Sequence, residues 1–344
     1  MEEGMLANLQ LLRALAAAAV VVFHFGLMPP TKLPFIVGAA GVDLFFVLSG
    51  FIIAYSSSHD PRHFLARRLL RILPAYWIAT AIAAMFALRM MTWRDVWPWL
   101  VQSMFYLPGP QGRPALIFVA WTLVYELTFY GIYWLALRAG PRRAPAAAMA
   151  ALPMVALVSF PGTSGPWPLF LEFAIGIGIY LVTDKLRARS RLAGGMGVVI
   201  AGTGFVLLPV LPHLTGYSPD DYQSLSRVLT WGLPAGCIVL GSVITNRSGF
   251  TVRSRATLML GAASYAVYLL HPIAIGQLLH LPPNLPPLSW VVCAVATVAI
   301  IAVAVVFHLC VEAPLLRHLR KLLGDEPPIE QAISAGGVDD RPSR

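Results

Sequence analysis

Arg13 and His24 stand eleven positions apart inside the first apolar stretch of the chain. Eleven helical residues complete about three turns at 3.6 per turn, so both side chains leave the same face, roughly 16 Å apart along the axis. Ionisable side chains inside a membrane span are costly and mark functional sites or polar pathways. The bland alternative is an Arg that snorkels to the headgroups and a His that bonds a neighbouring helix.

Other chemistry-bearing residues fall within apolar runs. Asp43, in Gly41-Val42-Asp43-Leu44, comes at a depth similar to His24, across a short connection. A carboxylate beside a His fixes its tautomer and stabilises the imidazolium, while an Asp at a helix start can instead serve as a cap. Arg68 and Arg71 are three apart and share a helical face. Paired guanidiniums offer forked donors to phosphate oxygens, although basic residues at an inner boundary also arise from topology and lipid contact. Glu126 sits one turn from Thr122 and Tyr130, which can hydrogen-bond a buried carboxyl. Ser264, Tyr268 and His271 form one stripe, and Pro272 is expected to bend the helix there. His308 and Glu312 are four apart, with a salt bridge from Glu312 to an inner Arg as the structural alternative. Glu172 is a further acid without an assigned partner. The His and acid residues lack short-range metal spacing, and Ser49 lacks the setting of a hydrolase nucleophile, so no metal is expected.

These residues need helices to hold them. The 344-residue chain is 58% hydrophobic and only 12% charged, with mean hydropathy +0.71. Soluble domains carry about 25% charged residues, so the composition describes an all-α polytopic membrane protein. Ten spans are expected, near 7–27, 36–56, 70–90, 115–137, 145–161, 167–183, 194–212, 227–246, 257–280 and 289–311. Residues 93–107, with Trp93, Trp97 and Trp99, read as a short interfacial segment. Alternate connections carry most of the Lys and Arg, and only Lys32, Arg89, Arg94, Arg113 and Arg227 fall on the other side. That bias predicts both termini in the cytoplasm. Residues 1–323 read as one integral-membrane domain and 324–344 as a disordered cytoplasmic tail. The net charge of +9 is spread between apolar segments, which argues against nucleic acid. Cys237, Cys293 and Cys310 read as inert core thiols.

Taken together, the segments resemble the type 3 membrane acyltransferases, in particular their bacterial exopolysaccharide O-acetyltransferase branch. The resemblance rests on Asn8 to Ala16 with Arg13, on His24, and on the stretches Gly41–Phe51, Arg67–Trp77, Trp121–Tyr130 and Ser264–Pro272, followed by Glu312 with Pro314. It implies transfer of an acyl group, usually acetyl, from cytoplasmic acyl-CoA to a hydroxyl of an extracytoplasmic or lipid-linked glycan, in a bacterial cytoplasmic membrane. Arg13 and His24 match the family's Arg-and-His motif, and Arg68 and Arg71 its double-Arg motif, thought to contact CoA. On this reading His24 is the general base and Asp43 orients it. Arg13, Arg68, Arg71, Glu126, Tyr130, His271 and Glu312 bind substrates. Acyl-CoA is a donor substrate rather than a resident cofactor, and membrane lipids are the remaining partners. The competing classes are a multi-pass transporter and a glycan flippase.

Overall fold

The computed structural model describes residues 2–27, 35–59, 61–106, 114–158, 167–184, 190–218, 221, 223–252, 254–279 and 290–324, all of which are helix, turn or irregular chain. The predicted tail 324–344 lies outside the described residues except for Gly324. In chain order the helices are α1 (Glu2–Gly26), α2 (Ala40–His59), α3 (Phe64–Ala87), α4 (Trp93–Met104), α5 (Trp121–Ala136), α6 (Ala144–Ala156), α7 (Phe170–Asp184) and α8 (Arg191–Thr215). After α8 come the short α9 (Leu225–Arg227), a π-helical turn (Val228–Gly232), α10 (Leu233–Arg247), α11 (Arg255–Ala262), α12 (Ser264–Leu279) and α13 (Trp290–Phe307). A second π-helical turn, His308–Glu312, leads from α13 into α14 (Ala313–Leu322).

Helices stand at all ten predicted places, but the expectation of ten spans is not met. Among the described residues six are long and apolar enough to cross a membrane: Ala7–Gly26, Ile36–Ser58, Phe64–Ala87, Arg191–Thr215, Leu225–Arg247 and Val291–Leu322. The pair α11 and α12, bent by 61° at their junction, raises this to seven if it forms one span. By contrast α5, α6 and α7 have 16, 13 and 15 residues. At 1.5 Å per residue they reach about 20–24 Å, short of a hydrocarbon core about 30 Å thick. The reason is that apolar character records burial against protein as well as against lipid. Phe170, Phe173 and Ile177 of α7 are fully enclosed by other helices. Conversely α8 and α13 carry exposed Val198, Val199, Val206, Val295, Val298 and Val303, an apolar surface suited to lipid.

Two local expectations are also corrected. The helix expected from residue 70 begins already at Phe64, so Arg67 and Arg68 lie inside α3 together with Arg71. The bend near span nine falls at Ala263, between α11 and α12, not at Pro272, which sits inside α12. The amphipathic α4 does match the short segment expected near 93–107, exposing Trp93 and Trp97 while burying Val96 and Leu100.

Glycines set the tightest crossing. A methyl on Gly50 of α2 would strike Phe173 O, and one on Gly176 of α7 would strike Val47 O, so the two backbones touch directly. That contact places the polar residues of α2 against the centre of the bundle. Ser190, Ser224 and Ser254 cap their helices by accepting from Ala193 N, Arg227 N and Thr257 N. Asn8 ties α1 to the chain before α11, donating to Phe250 O at 3.0 Å and accepting from Val252 N at 2.9 Å.

Candidate functional site

Arg13 and His24 share the single uninterrupted helix α1, as their spacing requires. Arg13 is buried and its Nη1 donates to Gln10 Oε1 at 3.3 Å; it does not snorkel into lipid. His24 turns inward at the far end. Its Nδ1 lies 2.9 Å from Val20 O and 3.2 Å from Nε2 of His271, which α12 delivers from 247 positions away. The two imidazole centroids are 4.9 Å apart, with Phe23 and Phe118 edge-on to His24. His271 is fully buried.

Asp43 is not the partner of His24. Both of its oxygens are taken by Arg227, whose Nε donates to Oδ1 at 2.9 Å and Nη2 to Oδ2 at 2.7 Å, while Nη2 also reaches Ala39 O at 3.0 Å. The pair is bidentate and almost wholly buried. Asp43 is therefore neither a bare cap nor an orienting group for the histidine: burial forces a carboxylate to find a cation, and the fold provides one from the end of α9. Arg227 is correspondingly not a loop charge, which the sequence reading assumed. Glu172 of α7 is fully buried within electrostatic range of Asp43 and Arg227, and Gly232 in the first π-helical turn leaves room for its carboxyl.

A second polar cluster lies between α2, α3 and α5. Glu126 Oε1 accepts from Ser49 Oγ at 2.8 Å and from Tyr130 OH at 2.5 Å, and Arg68 and Arg71 are in electrostatic range of both Glu126 and Tyr130. Thr122, the other neighbour expected for Glu126, instead meets Tyr268 OH at 2.6 Å. The ring of Tyr268 is 5.8 Å from that of His271, and its hydroxyl is in electrostatic range of Glu126, so it stands between this cluster and the histidine pair. Sequence reasoning missed Ser56, Ser57 and Ser58 at the end of α2. Consecutive helical residues point about 100° apart, and these three reach three different helices. Ser56 Oγ accepts from Arg68 Nη2 at 2.5 Å, Ser57 Oγ donates to Tyr133 OH at 2.8 Å, and Ser58 Oγ accepts from Tyr180 OH at 2.9 Å. A run of three serines closing an apolar helix is the signal that could have revealed them.

Glu312 pairs within its own helix: its Oε2 lies 2.9 Å from His308 Nδ1, and both residues are buried. The expected bridge from Glu312 to an inner Arg is replaced by this local one, which the extra residue of the π-helical turn presents inward. Of the cysteines, all free, Cys293 is buried, whereas Cys310 is exposed and does not belong to the core.

The described residues thus form an all-helical, multi-pass membrane protein with arginines, carboxyls and histidines gathered inside the bundle. The chain belongs to the type 3 acyltransferase family, whose model, described as an acyltransferase domain, matches residues 6–307. It is 31% identical to the exopolysaccharide production protein ExoZ of Rhizobium meliloti (strain 1021), over 83% of this chain and 92% of that protein. It is 27% identical to the acyltransferase MdmB of Streptomyces mycarofaciens, over 86% and 84% of the two chains. With the putative peptidoglycan O-acetyltransferase YrhL of Bacillus subtilis (strain 168) the identity is 26%, over 76% of this chain but about half, 47%, of the relative. No solved structure matches the chain. The protein is a membrane acyltransferase.

Proposed function

We propose that this acyltransferase moves an acyl group, acetyl by preference, from cytoplasmic acyl-CoA to a hydroxyl of an extracytoplasmic or lipid-linked glycan, in a bacterial cytoplasmic membrane. The observation that carries the reading is the placement of His24 inside the bundle, at the opposite end of α1 from Arg13 and against His271, whose neighbour Tyr268 lies in electrostatic range of Glu126. The donor's phosphates suit guanidinium forks, and Arg68 is already aimed by Ser56. The flexible arm of the donor then has about 16 Å of helix to follow before its thioester meets the imidazole. His24 takes the proton of the acceptor hydroxyl as that oxygen attacks the thioester carbon. Glu126, Tyr130 and Arg13 hold the donor or acceptor along this route, and Glu312, paired with His308 in the second π-helical turn, is a further substrate-binding group. Asp43 acts at one remove, by locking α2 to α9 through Arg227.

The printed names of two relatives, one an exopolysaccharide production protein and one a putative peptidoglycan O-acetyltransferase, support a carbohydrate acceptor. Family membership favours acyl transfer over the transporter and flippase readings, which require no new covalent bond. The test is mass spectrometry of the surface glycan from cells carrying the wild-type protein, His24→Ala, or neither. His24→Ala should lower glycan acylation by about 10²–10⁴-fold while the folded protein remains in the membrane. Normal acylation in that variant rejects the proposal, and unchanged glycan with altered solute uptake in the deletion strain would favour transport.

A further inference from the structure

We infer that His271 is the positioning partner of His24: it fixes the tautomer in which His24 Nε2 is the basic atom, and it stabilises the charge that this ring acquires. The inference rests on His24 being the base and adds the atom and the partner.

The bonding leaves one solution for a pair of neutral rings. His24 Nδ1 lies 2.9 Å from Val20 O, and His271 Nδ1 lies 3.2 Å from Val267 O. A carbonyl oxygen has no proton to give, so each Nδ1 is the donor. A neutral imidazole carries one N–H, so each Nε2 is a bare lone pair. His271 Nε2, 3.2 Å from His24 Nδ1, is thus an acceptor and shares that N–H with Val20 O in a three-centre bond. Among the described residues, His24 Nε2 is left as the open basic nitrogen of a ring that packs at a steep angle against Phe118.

The residue after the histidine explains why the arrangement holds. Pro272 has no N–H, so the Tyr268 carbonyl, four positions earlier, receives no helical hydrogen bond. That oxygen is a second backbone acceptor for the His271 ring. The His-Pro step therefore frees one carbonyl, which joins Val267 O in holding Nδ1 as donor and so leaves Nε2 as acceptor. A carboxylate in place of His271 would tend to keep the resting His24 ring charged and unable to accept a proton. Asp43, the acid at hand, is engaged by Arg227.

In the reaction the acceptor O–H bond breaks, its proton goes to His24 Nε2, and the oxygen forms a bond to the thioester carbon. The C–S bond then breaks with its electron pair on sulfur, and the same proton passes from Nε2 to sulfur, giving ester and thiol. Between those events His24 is an imidazolium whose Nδ1–H is held by Val20 O and His271 Nε2.

The test combines a spectroscopic and a catalytic readout on the full-length protein. In membranes containing ¹⁵N-histidine-labelled protein, with His24→Gln used for assignment, wild-type His24 should show a protonated Nδ1 and a bare Nε2. A proton on Nε2 of the resting ring overturns the inference. Surface-glycan acetyl content, measured at matched levels of folded protein, should fall roughly 10- to 100-fold for His271→Leu, the equivalent of one charge-assisted hydrogen bond. His271→Gln places an amide oxygen where Nε2 stood and should restore most of it. Equal loss in the Leu and Gln variants, or no loss in Leu, overturns the role of His271 while leaving His24 as base. Survival of acetylation in His24→Ala would instead remove the underlying reading.

Discussion

Two buried polar pairs flank the junction of α1 and α2, and they differ in what they leave unsatisfied. Asp43 and Arg227 form a closed pair: both carboxylate oxygens and the guanidinium nitrogens facing them are engaged, and Ala39 O takes a further contact. His24 and His271 form an open pair, with backbone carbonyls holding one nitrogen of each ring and, among the described residues, no hydrogen bond to His24 Nε2. Saturated bonding makes a structural joint, since any new partner must displace an existing one. An unspent lone pair inside a membrane protein makes a chemical site. The contrast is instructive because the sequence suggested one combined unit, Asp43 with His24.

Breaking each pair should give opposite phenotypes. In the open pair His24→Ala removes acyl transfer, the largest effect expected, and leaves the fold in place. In the closed pair Arg227→Leu strands a buried carboxylate and should cost about 3–5 kcal/mol of stability, read as thermal unfolding of the detergent-solubilised protein. The double variant Asp43→Leu with Arg227→Met should recover much of that loss, because two well-packed apolar side chains replace an ion pair at little net cost. An Arg227→Leu protein with wild-type stability and no activity would place this pair in the chemistry and dissolve the distinction.

Smaller effects sharpen the same contrast. Gly176→Val drives a side chain into the backbone of α2; overpacking of this kind costs about 1–3 kcal/mol, and both pairs should suffer together in stability and transfer assays. Ser56→Ala removes one hydrogen bond to Arg68. Its expected signature is a several-fold higher KM for acyl-CoA, about 1 kcal/mol, with thermal stability retained. An unchanged KM would separate Arg68 from donor binding. The smallest effect concerns Tyr217, in the segment between α8 and α9. Burial pushes its hydroxyl up to about 12; Arg227 pulls it down, and Asp43 pushes it up again. A raised folded value means that the neutral phenol is favoured in the native state. The associated stability is fully present below the ordinary tyrosine value of about 10 and is lost as pH rises towards 12. Unfolding curves for the wild type and Tyr217→Phe should coincide at neutral pH and diverge only above pH 10.

Much of the local order was legible in the sequence. Runs of apolar residues located every major helix, because hydropathy and helical period are properties of neighbouring positions. The i, i+4 relation between Glu126 and Tyr130 became a 2.5 Å hydrogen bond, and that between His308 and Glu312 a 2.9 Å one. Helix ends and breaks were less legible. The α11–α12 bend falls beside Gly261, whose lack of a side chain lets α11 press against the Gln10 backbone of α1. That is a tertiary contact with no local signature. Nor does hydropathy distinguish α7, short and enclosed by protein, from α13, whose valines face outward.

The chain by itself determined that the protein is helical and suited to a membrane, that Arg13 and His24 lie on one helix, and which polar residue types its apolar helices carry. Their partners were decided only by the packing of helices. Asp43 meets Arg227 across 184 positions and His24 meets His271 across 247. The physical reason is that helical geometry fixes where a side chain points, whereas the group waiting there depends on how distant helices cross.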